Sequence, residues 1–135
     1  MNIVYFVITA ALTVPLAKVF WGAGNFKRTA PVNALVAAGM GWAAKTPVPV
    51  IRLIAILEIL GVVGLVLGQA AAWLPAFEWV GYVGAAAAFG LALTMVGAAI
   101  LHIARKEIKY TWTKNVGLGA VAAIAGVTLL LAIAA

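Results

Sequence analysis

Long apolar runs separated by short polar connections dominate the hydropathy pattern of this chain. A helix needs about 20 consecutive apolar residues to cross the hydrocarbon core of a bilayer. Four runs approach or exceed this length, and they predict helices over residues 3–27, 50–70, 79–103 and 116–135. Pro15 interrupts the first run and predicts a kink, which neighbouring groups in a membrane bundle can accommodate by bonding the freed carbonyl. The pattern predicts an all-α, integral membrane four-helix bundle that forms one domain over residues 1–135.

The connection between the first two runs is long enough to hold an element of its own. Residues 31–44 contain Pro31, Gly39 and Gly41 around a short amphipathic stretch that ends at Trp42. This stretch is too short to span a bilayer, and tryptophan side chains favour headgroup depth. We therefore predict one extra short helix here, either interfacial or re-entrant.

Composition argues against a soluble protein and against several classes of cofactor. The 135 residues are 67% hydrophobic and 9% charged, whereas soluble domains average about 45–50% apolar and roughly 25% charged residues. The absence of cysteine excludes disulfides and cysteine-ligated metal centres. A single histidine argues against a bis-histidine haem, and no flavin or dinucleotide motif occurs. We expect neither a metal nor a covalent cofactor.

The basic residues gather in two of the three connections. Lys and Arg occur in or beside the first and third connections, whereas the second connection and both termini have none. The residues concerned are Lys27, Arg28, Lys45, Arg52, Arg105, Lys106, Lys109 and Lys114. The positive-inside rule makes these connections cytoplasmic and both termini external. The net charge of +6 therefore predicts inner-membrane topology and contact with anionic lipid rather than a nucleic acid partner. With no basic leader, the first run is expected to be a retained helix.

Glu58 is the most unusual residue, because it lies within the otherwise uncharged apolar run of residues 53–67. An ionisable residue inside a membrane span is a functional-site hypothesis by default. At helical spacing Glu58 shares a face with Gly61, Leu65 and Gly68. Small residues let membrane helices pack closely, so this face is expected to point into the bundle.

Other polar residues lie on comparable stripes of small residues. His102 follows Gly81, Gly84, Ala88, Ala92, Met95 and Ala99; Asn115 precedes Gly119, Ala122 and Gly126; Lys18 and Asn25 accompany Ala11, Pro15 and Gly22. All four polar residues are therefore expected to face protein. Glu58 lies about 9 Å inward from Arg52, and Lys18 about 13 Å inward from Lys27. These depths predict a Lys18–Glu58 pair.

Each of these residues also has a simpler interpretation. Glu58 could be a structural ion pair or a hydrogen-bonded acid that holds helices together. Lys18 could extend toward the headgroups, His102 could lie at the membrane interface, and Asn115 could cap the last helix.

Several ordered stretches resemble the DoxX-like family of small four-helix membrane proteins. They are AGNFK (residues 23–27), GMGW (39–42), RLIAILEILGVVGLVLG (52–68) and MVGAAILHIARKE (95–107), followed by Asn115. The resemblance covers nearly the whole chain and implies polar helix positions at Lys27, Arg52, Glu58, His102 and Asn115. Relatives include a membrane subunit of a thiosulfate:quinone oxidoreductase and proteins associated with redox stress, and many members have no assigned activity. Lys18 and Pro15 lie outside this pattern.

Two functions of different classes are consistent with these features. In the first, the chain is a redox-linked membrane subunit that binds a quinone or another small apolar ligand, or lipid, with Glu58, Lys18 and His102 at its polar head. The electron donor would then be a partner membrane or redox protein. In the second, the chain is a non-catalytic accessory or assembly subunit of a larger membrane complex. A homo-oligomer is a further expectation, and transport is disfavoured because no inverted repeat is evident.

Overall fold

The structure is a computed structural model that describes residues 1–106 and 111–134, together with all their side chains except those of residues 111–113. Within these ranges the chain forms five α-helices: α1 (Ile3–Thr29), α2 (Val32–Ala37), α3 (Val48–Ala71), α4 (Trp79–Ala104) and α5 (Gly117–Ala134). Short 3-10 helices cover Gly41–Lys45 and Pro75–Phe77, and one turn of π-helix covers Thr111–Val116.

Four of the helices, α1, α3, α4 and the helical segment Lys114–Ala134, are long and apolar enough to cross a bilayer. Their outward faces expose large apolar side chains, including Val4, Val14, Leu60, Leu93 and Ile100. Contiguous apolar surface of this extent is unusual in soluble monomers and suits contact with lipid. The predicted all-α membrane bundle is therefore confirmed, and a short extra helix, α2, lies where it was expected.

The ends of the helices follow from local chemistry. The Asn2 side chain caps α1 by accepting hydrogen bonds from the backbone N–H groups of Val4 and Tyr5. Helix α3 begins two residues earlier than predicted, because Pro49 is at its second position, where a missing N–H has no helical partner to lose. Helix α2 ends at Ala37, and the φ of 99° at Gly39 allows the N–H groups of Gly39 and Met40 to bond back to the carbonyls of Val36 and Leu35.

The four long helices pack as a closed ring in the order α1, α3, α4, α5. Helix α1 contacts α3 and α5, and α4 contacts the same two helices. Large apolar side chains fill the centre, among them Leu16, Phe20, Leu65, Leu91 and Leu129. On each long helix, the inner face is therefore the side that packs against its two neighbouring helices.

Helices α3 and α4 approach most closely where two glycines meet. A Cβ atom placed on Gly84 would lie 2.9 Å from Gly68 Cα, which leaves no room for a side chain. One turn further along, a Cβ on Gly64 would lie 3.0 Å from Ala87 Cβ, and beyond that Gly61 is covered by the whole side chain of Leu91. Along the α3–α4 interface, the atoms in contact thus change from backbone to complete side chains. The two helices therefore diverge toward the end of the bundle that holds Glu58.

At the opposite end of the bundle, a hydrogen-bonded network joins three helices. The Thr9 and Thr128 hydroxyl oxygens lie 2.7 Å apart, which links α1 to α5. Gln69 Nε2 on α3 donates to Thr13 Oγ1 on α1 over 2.6 Å. All four side chains are buried. The hydropathy pattern did not predict this network, although the spacing of Thr9 and Thr13 places both on one face of α1.

Replacing Thr9 with valine should lower the free energy of unfolding by about 0.6 kcal/mol and by no more than about 1.7 kcal/mol, the range for interhelical hydrogen bonds in membranes. Valine keeps the shape and removes the contact with Thr128. Unfolding in detergent measures the loss. Thr94→Val is the control, because that hydroxyl donates to Gly90 O within its own helix. Equal losses in both variants would show that the Thr9–Thr128 contact adds nothing.

Candidate ligand-binding site

Glu58 is buried inside the bundle and forms an ion pair with Lys27. The face of α3 that carries it buries Leu65 and Gly68 of the predicted stripe, together with Ala55 and Val62. Lys27 Nζ lies 2.6 Å from Glu58 Oε1. Glu58 is 1% exposed and Lys27 is 8% exposed, so the pair is shielded from solvent and screened little.

The predicted pair between Lys18 and Glu58 is wrong. Lys18 is exposed on the outer side of α1. The buried face of α1 is instead formed by Thr9, Thr13, Leu16, Phe20, Gly24 and Lys27. Lys18 is two residues from both Leu16 and Phe20, which puts it on nearly the opposite side of the helix. The stripe of small residues on α1 points outward, and the stripe with bulkier side chains fills the core.

Asn25 also lies on that outward stripe, so its predicted place in the buried cluster is wrong. Its Nδ2 donates to Trp21 O over 3.1 Å, and its Oδ1 accepts from Arg28 over 3.1 Å. Asn25 therefore bonds within α1 at the rim of the bundle.

Arg52 joins the polar cluster through the backbone of α1. Its guanidinium donates to the carbonyl of Lys27, which is among the last four carbonyls of the helix and has no helical partner. Arg52 and Glu58 thus reach the same residue, one at its carbonyl and one at its ammonium. Lys27 is the residue that links the start of α3 to the end of α1.

A cavity of about 790 Å³ lies beside this ion pair. Side chains of all four long helices line it, and its walls are mainly apolar, with Phe20, Ile54, Met95 and Leu118 among them. Its size falls within the range of about 300–1,000 Å³ that is typical of small-molecule sites. The polar groups at the cavity include Lys27, Glu58, His102, Lys114 and Asn115.

Two residues that line this cavity each have one buried polar atom without a hydrogen-bond partner among the residues that the structure describes: Glu58 Oε2 and Asn115 Nδ2. Asn115 is 7% exposed and comes just before α5. Leaving a buried polar group unsatisfied costs about 1–3 kcal/mol. The residues that line the cavity therefore include one acceptor and one donor with unmet bonding capacity.

The segment between α1 and α3 covers the basic end of the cavity. Ala38, Gly39, Met40, Trp42 and Thr46 line it there. This covering segment, residues 31–46, has its own small core in which Leu35 and Ala43 pack with Ile51 of α3. A guanidinium nitrogen of Arg105 would lie 2.9 Å from a Cβ on Gly41, so the side chain of Arg105, the residue after α4, lies against the segment.

The structure thus brings together five of the seven predicted site residues, namely Lys27, Arg52, Glu58, His102 and Asn115, and leaves Lys18 and Asn25 outside. Glu107 and Lys109 lie outside the described residues. Across residues 1–106 and 111–134, no three His, Asp or Glu side chains are close enough to hold a metal ion.

Comparison with known proteins agrees with the resemblance found in the sequence. The family model of the DoxX-like family matches residues 11–135, nearly the whole chain. No curated protein and no solved structure matches significantly. The chain belongs to the DoxX-like family.

Proposed function

We propose that this DoxX-like membrane protein is a redox-linked subunit that binds a quinone-type molecule in the cavity, with the polar head at Glu58 and Asn115. The observation that carries the proposal is that two residues lining one mainly apolar cavity, Glu58 and Asn115, each have a buried polar atom without a partner among the described residues. A ligand that donates to Glu58 Oε2 and accepts from Asn115 Nδ2 would supply both missing hydrogen bonds. Its rings and chain would lie against the apolar walls.

The two redox forms of such a ligand differ in what they offer this site. A quinone carbonyl only accepts, so it can bond Asn115 Nδ2 but leaves Glu58 Oε2 without a donor. A hydroquinone hydroxyl both donates and accepts. The site therefore favours the reduced form, and the electrons exchanged with the ligand would pass to or from a partner protein.

The same proposal includes an orientation in the membrane. The ends of α1 and α4 and the starts of α3 and α5 meet at the cavity, and the basic residues gather there. Under the positive-inside rule this end faces the cytoplasm of an inner-membrane protein. The cationic surface would contact anionic lipid, and a redox partner would dock from the cytoplasm or within the bilayer.

Purified protein in detergent should bind a decyl hydroquinone about tenfold more tightly than the matching quinone, since one extra hydrogen bond contributes about 0.5–1.5 kcal/mol. Calorimetric titration measures both affinities. Asn115→Leu should weaken binding of both forms about tenfold, because both accept from Nδ2. Asn25→Leu is the matched control, since that amide bonds within α1.

The alternative function, an accessory or assembly subunit, predicts a different result. Neither compound would then bind the wild-type protein, and the chain would co-purify at constant stoichiometry with other membrane proteins. If Asn115→Leu and Asn25→Leu changed the ligand affinity equally, Asn115 would not be part of the binding site.

A further inference from the structure

A second, smaller space adjoins the cavity on the outer side of the bundle. This groove, about 350 Å³ in volume, lies between α3 and α4 and is lined by Leu57, Leu60, Gly61, Ala87, Gly90, Leu91 and Thr94. Leu57 and Thr94 also line the main cavity. The two spaces therefore adjoin at these two side chains.

The groove exists because α3 and α4 diverge from their contact at Gly68 and Gly84. Leu57 and Leu60 are 53% and 57% exposed, so the groove faces the surroundings of the bundle, which in a membrane is hydrocarbon. Gly90 adds open volume, because no heavy atom of the described chain lies within 4 Å of where its Cβ would be.

The wall between groove and cavity is compatible with an alkyl chain. Leu57 is wholly apolar, and the Thr94 hydroxyl donates to Gly90 O over 2.9 Å. That bond satisfies the hydroxyl donor, so an apolar chain beside Thr94 would displace no hydrogen bond. The two residues with unmet polar atoms, Glu58 and Asn115, in contrast line the main cavity.

We propose that the α3–α4 groove is the subsite for the apolar tail of the ligand and its lateral entrance from the bilayer. The inference rests on the proposed function, because it assigns the groove to the tail of the molecule whose head occupies the cavity. The head passes between Leu57 and Thr94, and the tail remains in the groove beside Leu60 and Gly90. The covering segment lies over the basic end of the cavity, whereas the groove opens on the side of the bundle, where an amphipathic molecule in the membrane reaches it directly.

Gly90→Leu tests the groove, with Gly22→Leu as the matched control. Gly22 is also exposed and likewise has no described heavy atom within 4 Å of a Cβ, but it lines neither space. The probes are two hydroquinones with the same ring, one carrying a decyl chain and one a methyl group. Affinities are measured by calorimetric titration, and folding is checked by thermal unfolding.

Gly90→Leu should weaken binding of the decyl probe about tenfold, which corresponds to roughly two methylene groups displaced from the groove. Binding of the methyl probe should not change, and Gly22→Leu should bind both probes as the wild-type protein does. If Gly90→Leu fails to fold, Leu60→Trp fills the same groove from α3 at an exposed position.

The outcomes separate the two proposals. Unchanged affinity of Gly90→Leu for the decyl probe, or equal losses for both probes, would overturn the groove assignment while the head site stands. Failure of the wild-type protein to bind even the methyl probe would overturn the proposed function and the groove assignment with it.

Discussion

Lys27→Met should lower the free energy of unfolding by about 3–5 kcal/mol, the range for removing one partner of a buried ion pair. The substitution keeps an unbranched chain of similar length and leaves Glu58, which is 1% exposed, without the cation 2.6 Å away. Denaturant or thermal unfolding in detergent measures the loss. This is the largest effect expected from any single substitution of a polar residue at the site.

Lys18→Met is the matched control for this experiment. It removes the same charge from the same helix, but from an exposed position, so stability should change by less than about 0.5 kcal/mol. Comparable losses in the two variants would contradict the assignment of Lys27 as the partner of Glu58.

The single variant Glu58→Leu and the double variant Lys27→Met with Glu58→Leu complete the double-mutant cycle. Replacing a whole buried ion pair by apolar residues is often neutral or stabilising, by about 1–4 kcal/mol. We therefore expect the second substitution to recover most of the stability lost in the first. Additive losses would show that the two side chains act independently.

Gly68→Ala should destabilise the protein by about 3 kcal/mol, the upper end of the range for overpacking. The added Cβ would lie 2.8 Å from the backbone nitrogen of Gly84, and backbone cannot move aside as the end of a side chain can. The α3–α4 contact would have to separate. Unfolding in detergent measures the effect.

Gly90→Ala provides the control, since it adds the same methyl group to α4 where the described chain leaves the space open. This variant should be unchanged or more stable by up to about 1 kcal/mol, because alanine favours the helix over glycine. Similar destabilisation by both substitutions would mean that close approach at Gly68 does not hold α3 against α4.

The sequence predicted the bundle well because long apolar runs leave few other structures in a membrane. It also placed the inner faces of α3 and α5, since Glu58 and Asn115 share their stripes with buried residues. The prediction of which face of α1 points inward was wrong, because two different stripes of residues could each form that face. Small residues at Ala11, Pro15 and Gly22 favoured one side, and packing against α3 and α5 selected the side with Leu16 and Phe20.

The site itself could be predicted only in part. Glu58 was identified as an isolated acid in an apolar run, and Lys27 entered only through the family resemblance. Depth along the helix favoured Lys18, but the long side chain of Lys27 reaches inward from the end of α1 to Glu58. The unmet bonding capacity of Glu58 Oε2 and Asn115 Nδ2 depends on side-chain directions across four helices, which spacing along one helix does not give.

The Lys27–Glu58 pair also bears on how the chain enters the membrane during synthesis. Inserting a helix with a central charged side chain such as Asp, Lys or Arg adds about 2.5–3.5 kcal/mol to the insertion free energy. Glu58 raises the insertion free energy of α3 by a similar amount. The cation that offsets this cost, Lys27, is on α1, which is made before α3. Residues 30–47 between the two helices are enough to let them lie side by side. Once α1 and α3 have been made, Glu58 can thus pair with Lys27 in the α1–α3 hairpin. This pairing does not require α4 or α5.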